Sequence, residues 1–273
     1  MRIARLAHLL TAGLLLCILA ACAHVPVTGR WQLMLVSPAD EAQLGKQEYE
    51  KFLEGAKRST DAAANAILQR VGERIAPLAH VENAEWEFTL VESDEVNAFA
   101  LPGGKVVVFT GILPLCENEA GLAAVVGHEI AHVLARHGGE RISQALMLEL
   151  VLTGASRTLS KESAGTREAI LKALGLGANI GVILPYSRTQ EYEADLLGAR
   201  LMARAGYDPG EAPLLWKRMA EKSGNGALEF LSTHPTSEKR MAKLEEMMPD
   251  LLRLYEESPQ RFGKGVTLPV RRP

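Results

Sequence analysis

Two histidines and a glutamate carry the most explicit chemistry in this chain, in the run His128-Glu129-Ile130-Ala131-His132. On a helix, residues four apart stack on one face, so His128 and His132 present two imidazoles to one point. That spacing suits two corners of a tetrahedral zinc site, and Glu129, one residue on, can serve as general base for the water that zinc activates. Two histidines leave such a site incomplete. The downstream run Glu191-Tyr-Glu-Ala-Asp195 supplies more. Glu191 and Asp195 are four apart and share a face, whereas Glu193 is rotated about 200° from Glu191 and points elsewhere. The spacing assigns Glu191 as third ligand and Asp195 as hydrogen-bond acceptor for the far ring nitrogen of a ligating histidine, His128, fixing its tautomer.

Other readings of these residues exist. A Glu-x-Glu-x-Asp run is commonly a solvated helix face. Glu129 and His132 also fit the Glu-x-x-His element of a di-iron bundle, but that fold needs a second such pair, and the sequence contains none. His137, nine residues beyond His128, points to the opposite face of the helix. His24 and His80 have no partner in the sequence and read as surface residues.

The elements that must position this chemistry lie in a chain of 273 residues, long enough for one large domain with a substantial core. A hydrophobic content of 47%, a charged content of 23% and a net charge of −3 fit a folded soluble body and argue against a nucleic-acid partner. Residues 1–21 differ: Arg2 and Arg5 precede an apolar run from Leu6 to Ala21, the pattern of an export signal. Leu19-Ala20-Ala21-Cys22 resembles a bacterial lipobox, which makes Cys22 an acylated (palmitate-carrying) new N-terminus. An uncleaved anchor is the other reading, although about 16 apolar residues is short for a span. Both place the body outside the cytoplasm. Ala23, which is not aspartate, points to the outer membrane of a Gram-negative cell, with the body on its periplasmic face. Cys17 leaves with the signal and Cys22 carries lipid, so Cys116 stands alone and no intrachain disulfide is available.

The chain accordingly divides into a signal peptide (1–21), a lipidated tether (22–39), a metallopeptidase domain (40–257) and a C-terminal tail (258–273). Helical periodicity runs from Asp40 to about Glu54 and from Asp61 to Ala76, where Pro77 ends it. Trp86, Phe88 and Leu90 alternate with polar residues as in a half-buried strand, and residues 97–101 and 105–110 flank Pro102-Gly103-Gly104 as a hairpin. A helix from Glu117 to Arg136 carries the histidines, with Gly138-Gly139 as its stop. Further helices are expected at 140–152, 188–204, 209–223 and 236–247, and the apolar run 173–185 as a buried helix or a cover over the site.

With these motifs in view, the chain resembles the gluzincin metallopeptidases related to the CaaX prenyl proteases and the HtpX heat-shock proteases, in particular their exported, Oma-like bacterial lipoprotein members. The resemblance spans most of residues 25–247. It rests on Val25-Pro-Val-Thr-Gly-Arg30 with Gln32-Leu33, Asn97-Ala98-Phe99 with Pro102-Gly-Gly104, Asn118-Glu119 leading to His128-Glu-Ile-Ala-His132, Ser187-Arg188 leading to Glu191-Tyr-Glu-Ala-Asp195, and His234-Pro235 with Arg240. It implies an α+β, mainly helical zincin-type domain with a small β-sheet and an active-site helix, one Zn2+ per chain, and hydrolysis of peptide bonds. It further implies polypeptide substrates, namely unfolded or misassembled cell-envelope proteins, and a site role for His234 as an additional zinc contact or transition-state donor. Asn97, Ala98 and Phe99 are expected on an edge strand that receives substrate, and Arg240 beside substrate carbonyls or the acids of the site. The competing reading is a chaperone-like or assembly-associated zinc-binding lipoprotein with suppressed proteolysis; a zinc-free scaffold is a third.

Overall fold

The computed structural model describes residues 22–153, 186–223, 230, 233, 234 and 238–268. The signal segment, the expected cover at 173–185, Pro235 and the last five residues lie outside the described residues, as does the Cys22 side chain.

A three-stranded sheet organises the domain. β3 (Glu87–Val91), β4 (Ala98–Leu101) and β5 (Lys105–Phe109) lie in the order β3-β5-β4. The expected hairpin joins β4 antiparallel to β5, turning through Gly103 and Gly104 at φ of 85° and 91°, which glycine adopts without steric cost. β3 instead pairs parallel to β5. Alternate side chains leave opposite faces of a strand. Val106 and Val108 join Phe88, Leu90 and Ala98 in one core cluster, while Val107 and Phe109 join Val91 and Leu101 in another. Both faces are covered, which explains why β5 reads as an unbroken apolar run.

Helix α1 (Pro38–Gly55) starts at Ser37, whose hydroxyl accepts the Asp40 N–H, with Pro38 in the first turn. α2 (Ala62–Ile75) is capped by Asp61 and buries Ile67, Leu68, Val71 and Ile75, an apolar stripe at helical spacing. α1 and α4 (His137–Thr153) cover the Val107 face of the sheet. α2 and α3 (Glu119–Leu134) cover the other. α3 is buried from Glu119 through Val133, so it is the centre of the domain. α5 (Arg188–Arg204), α6 (Glu211–Ser223), α7 (Glu238–Glu246) and α8 (Met248–Glu256) pack around it.

Several boundaries differ from the sequence reading. Gly138-Gly139 do not stop the histidine-bearing helix: Leu134 ends it, Arg136 turns the chain at φ 56°, and both glycines fall in the first turn of α4. Arg136 tolerates this left-handed conformation because its guanidinium is tied to Glu41 and to the Val36 carbonyl. Gly139 leaves room for the Glu41 carboxylate, which a Cβ there would displace from its place beside Arg136. Residues 24–38, read as a tether, are docked. β1 (Cys22–His24) pairs with β2 (Trp31–Leu33), and Val25 is buried among Ala131, Ala135, Ala194 and Leu197. Residues 258–268, read as tail, also pack back: the Val266 and Lys264 carbonyls accept the Glu119 and Ala120 N–H groups. With Asn118 accepting from Gly121, they satisfy donors that a helix start leaves unpaired. α8 lies beyond the last helix expected, with Pro249 in its first turn.

Candidate active site

His128, Glu129 and His132 sit in the second half of α3, all at 2% exposure or less. Glu191 lies in the first turn of α5, which begins in a capping box between Ser187 and Gln190. The two helices cross very closely. A Cβ on Gly198 would stand 2.7 Å from the His128 backbone nitrogen, and one on Gly127 2.9 Å from the Gly198 carbonyl oxygen. Glycine at both positions brings the acids of α5 onto the histidines of α3.

The result is a buried cluster of His128, His132, Glu191 and His234, whose potential ligand atoms lie within 4.8 Å of one another. His128 Nε2 is 3.1 Å from His132 Nε2 and 3.2 Å from His234 Nδ1. Glu191 Oε1 is 2.9 Å from His234 Nδ1 and 3.4 Å from His132 Nε2. Burial alone would raise the Glu191 carboxyl, but the imidazoles of His234, His128 and His132 outweigh it and hold Glu191 well below the ordinary range. Burial lowers His132 well below its usual value, favouring the neutral ring that a metal requires. At His128 burial is outweighed by Asp195 and Glu191, which push it up to about 9.

Glu129 is fully buried, and neither of its carboxylate oxygens makes a hydrogen bond of normal geometry among the described residues. The groups facing it are the Ala100 N–H of β4 and His234, whose Nε2 lies 3.6 Å from Oε1. Burial raises its carboxyl, more than His234 and His128 lower it. An uncompensated carboxylate is costly inside a protein. Beside convergent imidazoles and a carboxylate, it marks a place built for a cation and a polar reactant. Three N/O donors of the type zinc prefers, together with a free base, fit a catalytic zinc site.

Asp195 Oδ1 lies 3.2 Å from His128 Nδ1, the far nitrogen, as the helical spacing predicts. Arg240 is buried and clamps Asp195 through Nε and Nη2 at 2.6 and 2.7 Å, and reaches Glu191 Oε2 at 2.6 Å through Nη1. Of the two positions expected for it, beside substrate or beside the acids, the structure has the second. Asn97 is also buried, with its Oδ1 accepting the Ala98 N–H. Phe99 packs edge-on against Phe52 with ring centroids 5.2 Å apart, and the Ala98 side chain is in the core. These three side chains are therefore occupied. The backbone is only partly so: the Phe109 N–H to Asn97 carbonyl bond makes 97, 99 and 101 the residues bonded to β5, which turns the Ala98 carbonyl and the polar groups of Ala100 to the outer edge, while the Ala98 N–H is held by Asn97. A cavity of about 260 Å³ opens there, lined in part by Ala100, Pro102, Gly103, His132 and Tyr186.

Two side chains set aside on helical geometry belong to the site's surroundings. His137 does not continue α3 but begins α4, and its Nδ1 lies 2.9 Å from His132 Nδ1. The turn at Arg136 returns the ring to the metal side. Glu193 does point away from Glu191, yet it meets His137 Nε2 at 3.1 Å. Tyr186, which no motif singled out, stacks on His132 with centroids 4.0 Å apart. The acid at every second position from 191 to 195 was the available signal for Glu193.

Comparison with known proteins agrees with this geometry. Residues 62–248 match the model for Peptidase family M48. The chain is 39% identical over 234 residues to the mitochondrial metalloendopeptidase OMA1 of Schizosaccharomyces pombe, covering 83% of this chain and 66% of that protein. The Saccharomyces cerevisiae OMA1 is 34% identical, over 85% of this chain and 71% of its own length. A beta-barrel assembly-enhancing protease of Escherichia coli K12 is 29% identical, over 81% of this chain and 47% of its own. The chain thus spans between about half and 71% of these relatives.

Proposed function

Because the chain belongs to peptidase family M48 and carries that family's metallopeptidase domain, we propose that it is a zinc-dependent endopeptidase acting on unfolded or misassembled proteins of the cell envelope. The observation that carries the activity is Glu129: a fully buried carboxylate with no hydrogen bond of normal geometry among the described residues, facing a cluster of three histidines and a second carboxylate.

His128, His132 and Glu191 would hold the zinc. When bound, zinc supplies a Lewis acid that polarises a carbonyl and brings the pKa of water towards neutrality. Glu129, raised by burial, takes the proton of the attacking water and delivers it to the leaving amine. Asp195 holds the His128 ring and is itself held by Arg240. His234 stands between ligands and base, its Nδ1 toward the cluster and its Nε2 toward Glu129. Its position among these groups would let it serve as an additional metal contact or as a donor to the reacting carbonyl.

Substrate would add to the outer edge of β4 as a further strand, through the backbone of Ala98 and Ala100. This mode needs an extended peptide, which unfolded or flexible polypeptides offer and compact ones do not. The similarity to a beta-barrel assembly-enhancing protease supports envelope substrates. The lipobox-like Leu19-Ala20-Ala21-Cys22 supports a lipid anchor at Cys22 in the outer membrane, with the domain on the periplasmic face. No described helix is long and apolar enough to cross a membrane.

The test is cleavage of casein by zinc-loaded wild type and Glu129→Gln, with zinc measured in both. Glu129→Gln is expected to keep its zinc and lose activity by about 10²- to 10⁴-fold, the usual range for removing a general base. Equal slow cleavage by both would sink the protease reading and favour a chaperone-like zinc protein.

A further inference from the structure

The two candidate histidine ligands are supported in different ways. His128 is met directly by Asp195, one turn along α5 from Glu191. Among the described residues no carboxylate of α5 meets the far nitrogen, Nδ1, of His132, because Glu193 leaves the helix on another side. His137 bridges the gap, with Nδ1 at 2.9 Å from His132 Nδ1 and Nε2 at 3.1 Å from Glu193 Oε2. One pattern of protons leaves His132 Nε2 free for a metal: His132 Nδ1–H donates to His137 Nδ1, and His137 Nε2–H donates to Glu193.

Glu193 is fixed in turn by the segment Val25–Arg30, the motif to which the catalytic reading gives no task. Thr28 Oγ1 donates to Glu193 Oε1 at 2.6 Å, and Arg30 Nε donates to Oε2 at 2.9 Å. The other two guanidinium nitrogens of Arg30 form a bidentate pair with Glu140 of α4 at 2.8 and 2.7 Å. Glu140 also accepts Gln190 Nε2 of α5 at 2.8 Å. Arg30 therefore ties together the helix that carries His137 and the helix that carries Glu193. The segment is itself anchored: Val25 is 1% exposed, and Gln32 Nε2 donates to the Ala135 carbonyl at the end of α3.

We propose that Arg30, with Thr28, is a positioning residue for the metal site, acting through Glu193 and His137 on the ring of His132. The segment behind the candidate lipid-bearing cysteine is then part of the catalytic apparatus. The Arg30 Nε–H and the Thr28 hydroxyl hold one Glu193 oxygen each and restrict its rotamer, the fork to Glu140 fixes the guanidinium that does so, and the Glu193 carboxylate restricts His137. Outer partners of this kind commonly set metal affinity by 10- to 100-fold. The inference rests on His132 being a zinc ligand, as proposed above.

Zinc affinity, measured by competition with a chromophoric chelator, tests it on the full chain. Arg30→Ala is expected to weaken zinc about 10-fold, the lower end of the effect of such partners, Arg30→Lys to recover part of the loss, and Thr28→Val, which removes a single neutral donor, to lose less than Arg30→Ala but more than twofold. Glu193→Gln should weaken zinc at least as much as Arg30→Ala, and the double variant should be no weaker than Glu193→Gln alone, because both act along one path. The visible spectrum of the cobalt-substituted protein should shift in Arg30→Ala, which a general loss of stability would not produce. Zinc affinity within twofold of wild type, additive losses in the double variant, or an unchanged cobalt spectrum would overturn the proposal. If Arg30→Ala fails to fold, the Thr28→Val and Glu193→Gln pair decides by the same criteria. Wild type that binds no zinc would instead overturn the metal-site reading, and this proposal with it.

Discussion

Gly198 of α5 faces Gly127 of α3 so closely that a single added methyl on Gly198 would stand 2.7 Å from the backbone nitrogen of His128. The contact is backbone to backbone, so no side chain can yield. It sets the spacing at which Glu191 and Asp195 reach the histidines.

Gly198→Ala should therefore separate the two helices and damage the site without touching a ligand. We expect a loss of stability of about 1–3 kcal/mol, as for other overpacked cores, together with reduced zinc per chain. Gly55→Ala is the control, since a Cβ there meets nothing within 4 Å. Thermal unfolding and metal analysis of both variants check this. Full zinc occupancy in Gly198→Ala would show that the crossing does not govern the site.

Within the acidic run of α5, Glu191→Ala should strip zinc, whereas Glu193→Ala should weaken it and leave it measurable. Glu191 faces the three imidazoles directly, while Glu193 acts from behind His137. Equilibrium dialysis against zinc separates the two. The reverse order would show that the ligand is Glu193.

His234 occupies the space between the candidate ligands and the base, with Nδ1 2.9 Å from Glu191 Oε1. His234→Ala should open the fourth corner, raising casein cleavage several-fold while zinc is held less tightly. Initial rates at saturating zinc give the answer. A loss of activity of 100-fold or more would instead assign His234 to stabilising the transition state.

Away from the chemistry, Glu119 at the start of α3 accepts from Arg70 at 2.9 Å through both oxygens, from Arg74 at 3.0 Å and from the Tyr207 hydroxyl at 2.8 Å. Burial would raise its carboxyl, but Arg70, Tyr207 and the Val266 N–H outweigh that and lower it. A carboxyl depressed in the folded state contributes stability that is present above the ordinary carboxylate range. That stability is lost as pH falls through the depressed native value. Glu119→Gln should cost about 1–3 kcal/mol at neutral pH, the cost of breaking buried charge-assisted bonds. Its melting temperature should also fall less steeply with acid than that of wild type. Parallel acid profiles for the two proteins would remove Glu119 from the account.

How much of this was legible beforehand depends on whether the relevant geometry is local. Helical spacing places His128 beside His132 and Glu191 beside Asp195, because residues four apart on one helix share a face whatever surrounds it. The hairpin at Gly103-Gly104 and the caps at Ser37 and Asp61 are local in the same sense, each settled by a few neighbouring residues. The parallel pairing of β3 with β5 is not, since it depends on a sheet whose strands are brought together by helices covering both faces.

The sequence by itself determined the candidate set: two histidines, a candidate base, a candidate third ligand and the carboxylate that stands beside one ring. Only the tertiary structure decided what holds the other ring. Extending α3 through position 137 turns His137 away from the metal side, but the left-handed turn at Arg136 starts a new helix and turns it back, and that turn depends on Glu41, 95 residues earlier. Arg30 meets Glu193 across 163 residues of chain. No period in the sequence encodes such a contact, because it exists only once α4 and α5 have packed and set Glu140 and Glu193 on either side of the guanidinium.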